Sequence, residues 1–334
     1  MKASVWLGEN KFEIQEINIP KLADEQVLVK VEKVGLCGTD VHITQGLYPS
    51  SPPKILGHEF SGVIVDVGSK ILKDRIGQRV TCNTTSSCGN CINCLNWTIS
   101  RCLNSEKSTG AFAEFSLMHS SSAIEIPEKM SFEVAAMTEP AACCLSGTEM
   151  IEYKDKPKIL IIGSGIMGIL CQLFVLKKDI DCLVVSEPNS LRRSIAKSLG
   201  ANYVVDPFDN NYHEKLNEIS EGIGFDIFIE AVGKPELLNE GISKLRPRGQ
   251  ALMIGVHPRE SKLNSDLHDF HFKEIKLLGA FGRGNYFNKT PEKINEFNLE
   301  KLVTKTYKLE EINEAIESTA KGEGMKYMIA PNER

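Results

Sequence analysis

The sequence predicts an α/β protein whose second half is a doubly wound parallel sheet and whose first half is a strand-rich domain. Two pattern changes and the size of the chain carry this. Residues 1–147 read as short strands with many turns, such as the alternating run at 27–34 and the β-branched run at 62–67. Beyond residue 158 the pattern becomes strand–helix alternation, which argues helices packed on both faces of a parallel sheet. At 334 residues, with 42% hydrophobic and 25% charged, the chain has room for two globular domains.

The elements follow in order. Buried parallel strands are expected at 159–162, 183–186, 203–205, 227–229 and 251–254, because each is a short apolar run bounded by turn residues. Helices are expected between them at 190–199, closed by Gly200, and at 212–220. This second domain spans 148–281. After Phe281 a strand at 303–308, a helix at 310–320 and a strand at 327–329 are too few to fold alone. Residues 282–334 are therefore expected to rejoin 1–147.

Charge and composition exclude several classes. A net charge of −5, from 39 basic and 44 acidic residues, offers no footprint for nucleic acid. The run 159–176 is nearly all apolar, but Gly163, Ser164, Gly165 and Gly168 break it into a buried strand turning into a buried helix, so no membrane partner is expected. The first residues lack the apolar core of a signal peptide. Ten cysteines could form disulfides, yet four are clustered and Cys37, Cys143, Cys144, Cys171 and Cys182 are scattered among apolar neighbours. A chain able to bury a core has no need of a disulfide framework, so a cytoplasmic metal protein is expected.

Three constellations carry chemistry. Cys88, Cys91, Cys94 and Cys102 can wrap one tetrahedral zinc ion with every position filled, a closed structural site; spacing alone also admits an iron–sulfur cluster. Cys82, just outside the pattern, reads as a packed thiol. Gly163-Ser164-Gly165-Ile166-Met167-Gly168 follows an apolar strand and opens a helix, as a dinucleotide-binding Rossmann turn does. Glu187 closes the next strand, nineteen residues after Gly168, where a carboxylate can hold ribose hydroxyls and repel a 2′-phosphate; NAD is expected over NADP. Arg192 is a candidate cofactor contact. Together with Arg193 it could argue for NADP, although both also fit solvated helix surface. Third, Gly57-His58-Glu59 lies twenty-one residues after Cys37. A thiolate, an imidazole and a carboxylate suit zinc and leave a position open, but spacing alone only suggests it.

Gly57-His58-Glu59-x2-Gly62-x5-Gly68-x2-Ile71 resembles the signature of zinc-dependent medium-chain alcohol dehydrogenases, and Cys37-Gly38-Thr39-Asp40, the cysteine lobe and the glycine turn follow in that family's order. The resemblance covers essentially the whole chain and is strongest to the branch of sorbitol, xylitol, arabinitol, butanediol and threonine dehydrogenases. Glu139-Pro140 stands where polyol members carry a zinc-site glutamate. The resemblance implies a chaperonin-10-like β-barrel catalytic domain beside the Rossmann domain, NAD, and two zinc ions per chain. It also implies that Cys37, His58 and Glu59 hold the catalytic zinc, that Glu139 binds the metal or its water, and that Thr39 and His42 pass the alcohol proton outward.

The implied reaction is hydride transfer between a secondary alcohol of a polyol or diol and NAD, in a homodimer or homotetramer. Threonine or simple secondary-alcohol oxidation is the alternative within the family, and a non-catalytic zinc-containing binding protein the alternative outside it. Two departures bear on substrate. Ile43 stands where polyol relatives often have an aromatic residue, which puts sorbitol itself in doubt, and the chain is short around 281–300. Arg283 aligns loosely with a substrate-side arginine.

Overall fold

Every run marked above falls on a strand, but three of the strands are longer than expected: 62–67 lies within Glu59–Val67, 227–229 within Phe225–Glu230, and 251–254 overlaps the end of Leu245–Met253. The computed structural model describes residues 1–96 and 98–333; Arg334, the end of the expected returning segment, lies outside the described residues. The chain opens with β1 (Lys2–Gly8), β2 (Lys11–Glu16), β3 (Gln26–Gly35), β4 (Lys54–Ile55), β5 (Glu59–Val67), β6 (Arg79–Cys82), β7 (Phe115–His119) and β8 (Ala123–Glu125). Next come β9 (Lys158–Ile162), β10 (Cys182–Ser186), β11 (Tyr203–Val205), β12 (Phe225–Glu230), β13 (Leu245–Met253) and β14 (Lys276–Gly279). β15 (Val303–Lys308) and β16 (Lys326–Ala330) complete the set.

The chain divides into two units, Met1–Ala142 with Arg283–Arg334, and Cys143–Gly282. In the first, β2-β1-β4 form a small sheet, and β15-β16-β3-β5-β6-β8 form a larger one, with β7 also paired to β3. β3 is the organising strand. It pairs antiparallel with β5 along its length, with β7 at one end and with β16 at the other. Val27, Val29, Val31 and Val34 of β3 are wholly buried, alternating into a core with Phe60, Ile64, Val80 and Ile329. Register shifts between Leu28 and Val29 and between Val31 and Lys33 bend the strand before it delivers Cys37.

The second unit is a six-stranded parallel sheet in the order β11-β10-β9-β12-β13-β14, which counted from β9 is 3-2-1-4-5-6. Its central strands β9 and β10 are buried on both faces, which is why they are continuous apolar runs. The apolar stretch 159–176 resolves into β9 and the helix Ile166–Val175, and among the described residues no helix is long and apolar enough to cross a membrane. The helix expected at 190–199 is Ser190–Ser198, started by the Asn189 side chain accepting from Arg192 N and ended near Gly200 at φ +103°.

Candidate active site and cofactor cradle

In the second unit the strand order reverses between β9 and β12, and the glycine turn lies at the C-terminal end of β9, where such sheets hold ligands. Gly163 has φ +97°, and a Cβ there would come within 2.5 Å of Val232 Cγ2. A Cβ on Gly168 would come within 2.0 Å of the Gly163 carbonyl, so this glycine lets the helix pack on the strand. Gly165 differs. A Cβ there would meet nothing nearer than Arg192 Nη1 at 3.9 Å, so the backbone is open to a ligand. Gly165 caps the helix whose first turn is Ile166, Met167 and Gly168, and the N–H groups there suit a pyrophosphate. The residues present fit a dinucleotide.

Glu187 is buried, with Oε2 accepting from Ser164 N at 2.7 Å and Oε1 from Asn189 N at 3.0 Å. The carboxylate therefore braces the glycine turn, and each oxygen retains a second lone pair that can accept from a ligand hydroxyl. Arg192 and Arg193 part company. Arg192 lies over Gly165, whereas Arg193 is held by Asp206 at 2.9 Å and by the Glu187 and Pro188 carbonyls. Arg193 is thus a structural tie rather than solvated surface.

In the first unit the register of β3 on β5 places Gly35 opposite Glu59, which carries Cys37 toward His58. One ligand atom each from Cys37, His58 and Glu59 lies within 4.8 Å of the others. Asp40, 1% exposed, joins them: Oδ2 accepts from Cys37 N at 3.1 Å, and Oδ1 lies 3.3 Å from His58 Nδ1. A carboxylate behind one ring nitrogen orients the imidazole and leaves Nε2 for a metal. Burial opposes charge on His58, yet Asp40 and Cys37 outweigh it and hold the ring well above the ordinary imidazole range. Burial, helped by Glu59, raises the Cys37 thiol.

Glu59 is buried against the Lys326 ammonium, and Glu139 accepts from Arg283 Nη1 at 2.8 Å. With His58 neutral, as a metal-ligating imidazole is, Cys37, Asp40, Glu59 and Glu139 can together carry four negative charges against the two positive charges of Lys326 and Arg283. A divalent cation offsets the remaining two, so donor chemistry and charge both fit zinc. Glu139 falls outside the three-residue ligand group among the described residues, held instead by Arg283. Thr39 and His42 share the short helix Gly38–Thr44, which Cys37 caps, and Thr39 Oγ1 lies 3.6 Å from Cys37 Sγ. Ile43 packs into the core of the unit, so its side chain contributes burial there.

The sulfurs of Cys88, Cys91, Cys94 and Cys102 all lie within 4.8 Å of one another, with 3.4 Å between Cys91 and Cys94 and between Cys88 and Cys102. Tetrahedral zinc–sulfur bonds of about 2.3 Å imply sulfur–sulfur edges of about 3.8 Å. An iron–sulfur cluster interposes bridging atoms and spreads its cysteines further, so the geometry favours a single ion. A hydrogen bond with the backbone at Asn90, aided by neighbouring thiols, takes Cys88 down to about 6, while burial and the Cys91 sulfur push Cys94 up to about 12. Four thiols this close do not all ionise unless a cation shares the charge. Cys82 is buried in the core.

Lys326 and the Asp40 link were not singled out from sequence. The one available signal for Lys326 was a charge heading the otherwise apolar strand β16, buried throughout.

A closed four-thiolate site, an open mixed-ligand site and a dinucleotide fold together describe a zinc-containing nicotinamide oxidoreductase. The alcohol dehydrogenase GroES-like domain matches residues 23–128 and the zinc-binding dehydrogenase domain residues 179–298. D-arabitol-phosphate dehydrogenase of Enterococcus avium is 30% identical over 340 residues, covering 97% of this chain and 95% of the relative. L-threonine 3-dehydrogenase of Thermococcus kodakarensis is 29% identical over 337 residues, covering 96% and 95%. A crystal structure described as a zinc-binding dehydrogenase of Sinorhizobium meliloti 1021, bound to NADP, superimposes with a TM-score of 0.91 at 28% identity, covering 99% of both chains. The chain belongs to the zinc-dependent medium-chain alcohol dehydrogenase family. Its fold is a GroES-like domain with a Rossmann domain, and it is an oxidoreductase of a family that acts on small-molecule alcohols.

Proposed function

We propose that the protein oxidises a secondary alcohol of a polyol or diol to the ketone, reversibly, using zinc and NAD. The observation that carries this reading is the Cys37–His58–Glu59 ligand group, Glu59 buried and the other two partly so, with Asp40 behind His58 and an arginine-held Glu139 close enough to act on Glu59 and Lys326. When bound, the zinc lowers the pKa of the substrate alcohol as a Lewis acid and the nicotinamide accepts its hydride. Cys37, His58 and Glu59 hold the metal, and Asp40 fixes the His58 tautomer. Arg283 orients Glu139 toward the metal or its water. Thr39 and His42, one helical turn apart, move the alcohol proton outward. Cys88, Cys91, Cys94 and Cys102 hold a second, structural zinc.

Gly163, Gly165, Ile166, Met167 and Gly168 hold the pyrophosphate, with Glu187 and Arg192 at the adenosine ribose; Glu187 supports NAD over NADP. The two units are then the catalytic and dinucleotide domains. Free thiols at all ten cysteines suit a reducing cytoplasm, and a homodimer or homotetramer is the expected assembly. The threonine dehydrogenase relative favours a second reading, oxidation of the threonine side-chain alcohol. The deciding experiment is a panel of polyols, polyol phosphates, diols and L-threonine with NAD and with NADP, followed by nicotinamide absorbance. Turnover of L-threonine alone would replace the polyol reading, and no turnover of any alcohol would leave only the non-catalytic one.

A further inference from the structure

Glu230 ends β12, the strand on the far side of the sheet's reversal point from β10, and is 0% exposed. In register it lies beside Ile162, whose next residue is Gly163, and Ala231 N donates to the Ile162 carbonyl at 3.0 Å. One carboxylate oxygen, Oε1, accepts from Val232 N at 2.8 Å and Gly233 N at 2.7 Å and so closes the turn. The other, Oε2, faces His257 Nε2 at 3.6 Å, and among the described residues both atoms are buried without a hydrogen-bond partner. His257 Nδ1 lies 3.2 Å from the Gly255 carbonyl.

The turns after β12 and β13 are packed tightly here. A Cβ on Gly233 would come within 2.5 Å of the Val256 carbonyl, and one on Gly255 within 2.2 Å of Gly233 N. Between these contacts Val232 and Val256 stand 43% and 57% exposed at the strand ends. Two exposed valines at the C-terminal edge of a doubly wound sheet offer an apolar floor for a planar ring.

We propose that His257 is a cofactor-positioning residue: with Nδ1 on the Gly255 carbonyl and Nε2 facing the buried Glu230 carboxylate, it holds the turn after β13 against the turn after β12, and thereby sets Val232 and Val256 as the floor under the bound dinucleotide. The inference rests on reading this unit as the dinucleotide domain. A buried carboxylate oxygen that loses the ring nitrogen facing it is disfavoured in the closed turn, and the cost appears where the turn is used.

The test uses the full-length protein, with NADH binding measured by nicotinamide fluorescence, melting with and without NADH, and steady-state kinetics. His257→Phe fills the space but cannot donate, and should weaken NADH binding about tenfold and raise the cofactor KM to match, with kcat at saturating cofactor within about twofold. His257→Gln, whose amide can donate to Glu230, should recover most of the affinity. Should His257→Phe not fold, His257→Asn, too short to reach Glu230, is held to the same result. Unchanged NADH affinity in the non-donating variant overturns the latch while leaving the dinucleotide domain in place. If the unmodified protein binds no NADH, the domain reading falls and takes the latch with it.

Discussion

Lys326 and Glu59, 267 residues apart in the sequence, meet as an ion pair in which each side chain is 1% exposed. The lysine also donates to the Leu36 carbonyl at 2.8 Å, one residue before Cys37. Three strands make this possible: β16 pairs with β3 at Gly35, and β5 pairs with β3 at the same residue. Gly35 is required there, since a Cβ would stand 2.5 Å from Glu59 Oε2 and 2.7 Å from Lys326 Cε. Replacing the lysine by Met strands a buried carboxylate, so Lys326→Met should cost about 3–5 kcal/mol of stability. Gly35→Ala should push the pair apart and release zinc from the open site before the closed one. Denaturant unfolding and zinc analysis check both. A Lys326→Met protein as stable as the parent would show that Glu59 is satisfied by something other than this ammonium.

Arg283 and Glu139 form a second pair, 14% and 12% exposed, on a segment tied to the cysteine lobe. Ile99 N donates to Asn285 Oδ1 at 3.2 Å and Ser100 Oγ to the Gly284 carbonyl at 3.3 Å. Arg283→Ala should therefore lower kcat by about a hundredfold, because a misplaced catalytic carboxylate costs orientation more than binding. Asn285→Ala should shift kcat in the same direction by a smaller factor. NADH affinity should not change in either. Loss of NADH affinity together with kcat would mean that Arg283 serves the cofactor instead.

How readily each feature could be read from sequence follows the distance over which it is built. The glycine turn is local, and each glycine's role follows from one strand–helix junction. The four cysteines lie within fifteen residues, so their spacing alone suggests a metal, and only the sulfur–sulfur distances separate zinc from a cluster. Cys37 and His58 are harder. Their meeting depends on the β3–β5 register, and a family resemblance stood in for that geometry. Lys326 and His257 reach their partners through sheet topology, and Arg283 reaches Glu139 across 144 residues, none of which a spacing pattern encodes. Ile43 was legible as an apolar departure, but that it faces the core rather than a substrate depends on how its helix packs.

Glu187 gives a prediction about cofactor choice. Its buried carboxylate stands at the end of β10 and accepts from Ser164 N in the glycine turn, so a 2′-phosphate would meet both its charge and a braced backbone. NAD should be preferred, and Glu187→Ser should narrow the preference by removing the repulsion. The same change should weaken NAD binding by about tenfold, since the ribose partner and the brace go together. Ratios of kcat/KM for NAD and NADP in both proteins decide it. A parent enzyme that prefers NADP, as the NADP-bound structural relative allows, would show that Arg192 dominates Glu187.

The two metal positions should separate by function. Cys37→Ser puts a neutral hydroxyl where a thiolate belongs, and zinc at the open site should be lost or badly held. Without the Lewis acid the alcohol keeps a pKa far above neutrality, and turnover should fall by about three orders of magnitude or more. NADH binding should survive, because the glycine turn and Glu187 belong to the other unit. Cys94→Ser attacks the closed site, where the thiols crowd and the metal contributes folding free energy to its lobe. The expected loss there is melting temperature, with activity declining as the lobe slackens its hold on Gly284 and Asn285 and so on Arg283. Zinc analysis should give two ions in the parent and one in each variant that folds. Should Cys37→Ser keep near-native turnover while Cys94→Ser abolishes it at unchanged stability, the open and closed sites have been assigned the wrong way round.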